Sequence, residues 1–356
     1  MTRGRNREID ICKGILTVTM ILCHCIQFFG FEEQGVQKIL VNVINLTTFS
    51  GFLFCFGFVS NLAYYENRNF KTSAVKLAKN AVRLLVAFYV SGIAYMAFVE
   101  DKIFRWDFIT EILLLKRYPG WSEFLASFAA MMLAGILLYP VLKRVNGWVV
   151  AAVAVISGAA CFLPYASIHN SWLALFAGSR DFTTFPILQY MVFFAAGAWI
   201  SRKRIWWKPQ ILAVVLVISL PCIIQFIRDG YLPERFPPSI FYIAGGSLFV
   251  YLDYLIAGGL ERLREKTRIL EAVSGCLERC GRASLHYLLL SNLLIFALDG
   301  SSFSFRSGAY AFGAFAVILL LISYLHQLRN EGKKNNERPE TDPAISTGAG
   351  GSASGK

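Results

Sequence analysis

Charge is scarce in this chain. Only 16% of its 356 residues are Asp, Glu, Lys or Arg, against about a quarter in a soluble domain. Water-exposed globular surface is therefore excluded for most of its length. Acidic residues are scarcest, 23 against 35 Lys and Arg, and histidine occurs four times. No internal repeat and no Gly-rich phosphate loop is present. No polar stretch is long enough for a soluble catalytic or carbohydrate-binding module. The eight cysteines are scattered, mostly within or beside apolar blocks. Cys23 and Cys25 flank His24, but neighbours on one helix diverge by about 100°, which is poor metal geometry. Cys276 and Cys280 are spaced i, i+4 in a basic segment expected in the cytoplasm, where disulfides are rare. Neither a disulfide framework nor a zinc site is expected, and no metal.

What the chain has instead is apolar sequence: 56% hydrophobic residues, with 30 Phe and 15 Tyr, and a mean hydropathy of +0.51. The apolar residues fall in blocks near the roughly 20 residues that a bilayer crossing needs. The fold expected is an all-α integral membrane protein with about ten spans. They are placed at 10–30, 38–64, 78–99, 122–142, 147–165, 183–201, 209–228, 238–258, 283–299 and 307–327. Apolar pieces at 106–115 and 171–178 are too short to cross. A transmembrane domain covers 1–329, and a polar, Gly/Ser-rich tail at 330–356 is expected to be disordered in the cytoplasm. The apolar positions of 260–280 fit an amphipathic helix on the cytoplasmic face. Arg3, Arg5 and Arg7 precede the first span as in a signal peptide, but Asp10, Lys13 and His24 interrupt it and no small-residue cleavage site follows. It reads as a retained helix. Asn45-Leu-Thr matches a glycosylation sequon but falls inside a span.

Orientation follows from the basic residues. With the N-terminus inside, 25 of the 35 fall in cytoplasmic segments, Lys13 lies in the first span, and nine fall outside. Both termini are thus expected in the cytoplasm of a cell whose plasma (inner) membrane the chain crosses. The net charge of +12 is explained by this signal. It calls for membrane lipids as partners and for no nucleic acid.

The first span carries the chemistry. Asp10, Lys13 and His24 are ionisable groups in an apolar run, each costing about 2.5–3.5 kcal/mol at the centre of a membrane helix. Lys13 and His24 are eleven residues apart, about 16 Å of rise and about 20° of rotation on an α-helix. They share a face without touching. Asp10 and Thr17 lie near the same stripe. A cation near the cytoplasm can hold a charged group. A histidine farther out can act as a general base near neutral pH.

Arg7-Glu-Ile-Asp10-Ile-Cys-Lys13-Gly14, with ten residues between Lys13 and His24, resembles the opening of the membrane-bound acyltransferase family 3. Lys13 stands where that family usually has arginine. Phe49-Ser-Gly-Phe-Leu-Phe-Cys-Phe-Gly57 is similar to its Phe-x-x-Ser-Gly-Phe segment. Lys76-Leu-Ala-Lys79-Asn80-Ala-Val-Arg83 resembles its Arg-x-x-Arg stretch, with Asn80 in place of the first arginine. Phe193-Phe-Ala-Ala-Gly197, Phe236-Pro-Pro-Ser239 and Gly281-Arg-Ala-Ser284-Leu-His-Tyr287 resemble later segments. Ser291 occupies a position where the family often has histidine.

The resemblance implies an acyltransferase using cytoplasmic acyl-CoA, often acetyl-CoA, as co-substrate with no bound cofactor. The acceptor would be a hydroxyl of a glycan, glycolipid or small molecule. His24 would be the base, with Asp10 in the same catalytic helix. Lys13, Lys76, Lys79 and Arg83 would meet the donor's phosphates; Lys76, Lys79 and Arg83 also fit ordinary positive-inside residues facing anionic lipid. Glu123 either orients the acceptor or caps its helix. Asp253 either pairs with a cation such as Arg282 or lines the cavity, and His286 is a further polar candidate. Direct transfer and an acyl-histidine relay both stay open, as does the oligomeric state. A transporter or flippase for a lipid-linked sugar is the competing class, since such proteins also line a path with ionisable residues.

Overall fold

The computed structural model describes residues 6–66, 69–100, 105–301 and 305–336. Within them every named element is helical: α1 (Arg7–Phe29), α2 (Gly35–Ser60), α3 (Phe70–Phe98), α4 (Trp106–Leu113), α5 (Glu123–Leu137), α6 (Tyr139–Leu142), α7 (Gly147–Ala160), α8 (Ser171–Ala177), α9 (Ile187–Lys203), α10 (Pro209–Asp229), α11 (Ile240–Leu263), α12 (Arg268–Arg282), α13 (Ser284–Asp299) and α14 (Gly308–Asn336). A helix exists at each of the ten expected spans, and the two short apolar pieces are α4 and α8. Six helices are long and apolar enough to cross a bilayer: α1, α2 with its π-helical extension to Tyr65, α3, α10, α11 and α14. A seventh span results if α12 and α13, bent by 83° at their junction, count as one. The other expected spans are shorter. α5 has 15 residues and α7 has 14, about 21–23 Å at 1.5 Å per residue against a hydrocarbon core of about 30 Å.

The amphipathic helix differs from its expected bounds. α11 continues to Leu263, a 3₁₀ turn follows at Arg264–Lys266, and the new helix begins at Arg268. Thr267 sets that boundary, because its side chain accepts from the Leu270 amide and so caps α12. The polar tail also begins later than expected. α14 continues to Asn336, since Glu331, Lys333 and Lys334 are good helix formers. Residues 337–356 lie outside the described residues.

The helix carrying the ionisable stripe lies inside the bundle. α1 starts at Asn6, whose side chain accepts from the Ile9 amide at 3.0 Å. It packs against α2, α11, α12, α13 and α14. Ile11, Leu16, Ile21, Cys25 and Ile26 are fully buried. By contrast α10 exposes Val214, Val217, Ile224 and Ile227, an apolar surface suited to lipid rather than water.

Two close crossings fix the central helices. A methyl group on Gly14 would lie 2.0 Å from the Leu277 carbonyl oxygen, and one on Gly281 would lie 1.7 Å from that of Asp10. α1 and α12 therefore touch backbone to backbone. The α2–α9 crossing is built the same way, with Gly57 against the Phe194 carbonyl and Gly197 against that of Phe54. Small residues let membrane helices approach this closely.

Candidate active site

His24 is the best-anchored ionisable group among the described residues of the membrane-depth core. Its side chain is buried, and Nδ1 lies 3.0 Å from Asn292 Oδ1 on α13. The Asn292 amide is oriented by its own contacts. Nδ2 donates to the Trp121 carbonyl at 2.9 Å and to Ser91 Oγ on α3 at 3.3 Å. Ser91 Oγ in turn lies 2.8 Å from Ser122 Oγ. The Trp121 carbonyl, which can only accept, requires Nδ2 on its side and so puts Oδ1 toward His24, where it too can only accept. Nδ1 of His24 therefore carries the proton, and Nε2 is left with its lone pair. This is the tautomer a general base needs.

A cavity of about 230 Å³ is lined by His24. It is walled by His24 and Gln27 of α1, Asn45 and Phe49 of α2, Trp121, Glu123 and Phe128 at α5, and Phe185, Arg235 and Phe236 from two connecting loops. Trp121 shapes the mouth from a left-handed backbone, φ 57°, a conformation that costs a bulky residue about 1–3 kcal/mol. Its ring holds the position by packing 4.7 Å from Phe28, and its indole N–H donates to Gln27 Oε1 at 3.3 Å.

Glu123 is the first residue of α5. A carboxylate there sits at the positive end of the helix dipole. Its Oε2 is nevertheless buried without a partner, and the residue lines the His24 cavity. Arg235 faces the same space. Its guanidinium lies 5.0 Å from the Phe185 ring centroid and 4.6 Å from that of Phe236. Its Nε is also buried and unpartnered.

The inner end of the stripe is a separate cluster. Lys13 Nζ pairs with Asp10 Oδ1 at 2.7 Å, and Arg282 approaches Asp10 Oδ2 at 4.0 Å. Glu278 of α12 meets Arg282, Arg264 and Arg7, and Arg262 reaches Glu8 at 3.7 Å. Asp10 stands fourteen residues before His24, about 21 Å along the helix, and its charge serves this network. Neither Asp10 nor Lys13 lines the His24 cavity.

Lys76, Lys79 and Arg83 occupy the exposed side of α3 together with Val75, Val82 and Val86. They have no ion-pair partner among the described residues, and they do not line the cavity. Asn80 instead donates to the Tyr64 hydroxyl at 2.8 Å. Asp253 is half-buried on α11 without an ion-pair partner among the described residues, and Arg282 is engaged by Glu278 and Asp10 instead. His286 lies beside His326, ring centroids 5.8 Å apart, away from the cavity. No group of three or more His, Cys, Asp or Glu among the described residues is arranged to hold a metal ion.

The structure thus brings His24 and Glu123 together and adds Asn292, Ser91, Gln27, Asn45, Trp121 and Arg235. Asn292 had a signal, as an amide inside the apolar run 283–299. Asn45 had one too, as a polar residue in a span. Arg235 had none beyond its position beside Phe236-Pro237-Pro238.

No curated protein and no solved structure matches the chain. The family model for the acyltransferase domain matches residues 6–327, from the Asn6 cap of α1 almost to the end of the last apolar helix. A multi-pass helical chain with a buried histidine on its first helix, matched over that length, belongs to acyltransferase family 3.

Proposed function

We propose that this membrane acyltransferase moves an acyl group, acetyl in the simplest case, from cytoplasmic acyl-CoA to a hydroxyl of a cell-surface glycan, glycolipid or similar acceptor. His24 is the general base. The observation that supports this is the Asn292 contact, which favours the proton on Nδ1, at a histidine that lines the cavity.

The steps follow from that tautomer. The acceptor hydroxyl donates to His24 Nε2, and its oxygen attacks the thioester carbonyl as the proton transfers. The C–O bond forms, the C–S bond of the tetrahedral intermediate breaks, and the imidazolium returns the proton to the departing thiolate. Asn292 supports the imidazolium by accepting from Nδ1–H. Glu123 accepts from a second acceptor hydroxyl. Lys76, Lys79 and Arg83 are the unpaired cations offered to the donor's phosphates, while Lys13 is held by Asp10.

For topology, we place all ten expected segments across the bilayer with both termini in the cytoplasm. The charge asymmetry supports this, with 25 of 35 basic residues on one side. Shorter helices such as α5 and α7 then lie inside the bundle or thin the bilayer locally.

The test uses protein reconstituted in vesicles with radiolabelled acetyl-CoA. Release of free CoA together with label on a hydroxylated acceptor supports the reading. If acetyl-CoA is neither bound nor turned over while a sugar lipid crosses the vesicle membrane, the chain is a transporter instead.

A further inference from the structure

The His24 cavity holds one cation and one carboxylate that do not meet. Arg235 and Glu123 both line it, yet no salt bridge joins them. Each keeps a buried polar atom without a partner, Nε of Arg235 and Oε2 of Glu123. Glu123 is only 6% exposed. Buried polar atoms are nearly always hydrogen-bonded, and leaving one unpaired costs about 1–3 kcal/mol. Two residues with such atoms, both lining one small space, mark groups shaped for something that enters it.

The geometry of Arg235 says what enters. Its guanidinium rests against both the Phe185 and Phe236 rings, 5.0 and 4.6 Å from their centroids, and these cation–π contacts hold it in place. No carboxylate among the described residues lies within ion-pair distance of it. A planar guanidinium held this way presents parallel N–H groups, the fork that matches the two oxygens of a carboxylate or phosphate. Lysine offers only a point charge in its place. The cavity also sets the size. At about 230 Å³ it exceeds by about half the 150 Å³ cavity that admits benzene, so it takes one substituted six-membered ring.

Resting on the reading of this cavity as the acceptor site, we propose that Arg235 makes it selective for anionic sugars. The guanidinium receives a carboxylate or phosphate borne by the acceptor ring, and Glu123 takes one of its hydroxyls. Another hydroxyl of the same ring is then presented to His24 Nε2.

The test is equilibrium binding to the purified full-length protein without acyl-CoA, using glucose, glucuronate and glucose 6-phosphate. Glucuronate or glucose 6-phosphate is expected to bind at least about tenfold more tightly than glucose, a preference that weakens with added salt. Whichever of the two binds more tightly identifies the oxyanion. Arg235→Met is expected to bring all three within about twofold, and Arg235→Lys to keep part of the preference. Equal affinities in the wild type, no binding of any of the three, or a preference that survives Arg235→Met overturns the proposal. Should Arg235→Met not fold, the wild-type comparison with its salt dependence decides. Because no donor is present, this result is independent of acyl transfer. A failure of acetyl-CoA turnover would count against the acyltransfer reading and leave the binding preference standing.

Discussion

Asn292→Leu removes the orienting group of His24 while keeping the side chain's approximate size. Three contacts are lost: Oδ1 to His24 Nδ1 at 3.0 Å, Nδ2 to the Trp121 carbonyl at 2.9 Å, and the longer one to Ser91 Oγ at 3.3 Å. The Ser91 hydroxyl keeps Ser122 as a partner, so the Trp121 carbonyl and the imidazole bear the change. A net hydrogen bond is worth about 0.5–1.5 kcal/mol, and an unsatisfied buried group costs about 1–3 kcal/mol. The proton on His24 is then free to move to Nε2, which disables the base. A bias of about 1.4–2.8 kcal/mol lost in the competent tautomer is about ten- to a hundredfold in rate. The assay is release of free CoA from acetyl-CoA by purified protein with acceptor present. The expected result is that kcat falls by about ten- to a hundredfold with the donor KM within about twofold, as for an interaction expressed in the transition state. A monodisperse variant with kcat within about twofold of wild type would refute the tautomer argument.

Three further outcomes follow from the packing and charge network. Gly197→Ala places a methyl 2.0 Å from the Phe54 carbonyl, overpacking of the kind that costs about 1–3 kcal/mol, so its thermal midpoint in detergent should fall. Gly313→Ala meets no atom within 4 Å and should leave the midpoint unchanged. Lys13→Met removes the 2.7 Å partner of Asp10, a buried carboxylate, and leaves Arg282 at 4.0 Å. Breaking such a pair costs about 3–5 kcal/mol, and the double variant Asp10→Asn/Lys13→Met should recover yield and midpoint. Unchanged stability of the single variant would sink the structural role given to this pair. Cys276 is exposed on α12, and the Cys280 thiol and then Arg279 bring its pKa down to about 6. Its thiolate fraction should therefore rise between about pH 5 and 7, a range in which an ordinary thiol stays protonated. A membrane-impermeant maleimide at pH 7 should label it first, and in inverted rather than right-side-out vesicles. The opposite sidedness would reverse the proposed topology.

The fold was legible wherever a single segment decides its own structure. Apolar runs of bilayer length marked a helix at each span, because a chain in lipid must satisfy its backbone internally. The α1 start could be found from the Asn6 cap and the acids behind it. What local sequence could not show is which helices meet. The break at Thr267 depends on one hydroxyl, and it turned the expected surface helix 260–280 into α12, pressed onto α1 at Gly14 and Gly281. The site was legible along α1 and at Glu123 of α5. His24 stood out because a histidine in a membrane helix is costly. Asn292, Ser91 and Trp121 reach it from three other elements, at separations from 67 to 268 residues in chain order. The stripe suggested one reaction with two ends at different depths, Lys13 inward and His24 outward. Placed about 16 Å apart, its two ends serve different neighbours: an ion network on α12 and a cavity at α5.

The central claim is that His24 supplies the base, and His24→Ala tests it most directly. The variant, purified in detergent and matched to wild type in thermal midpoint, is assayed for acyl transfer from acetyl-CoA to a hydroxylated acceptor across pH 5–9. Loss of general-base catalysis is worth about 10²–10⁴-fold, so kcat should drop by at least about a hundredfold. Added imidazole, small enough for the vacated space, should restore part of the rate. Wild-type transfer by His24→Ala at every pH would contradict the account.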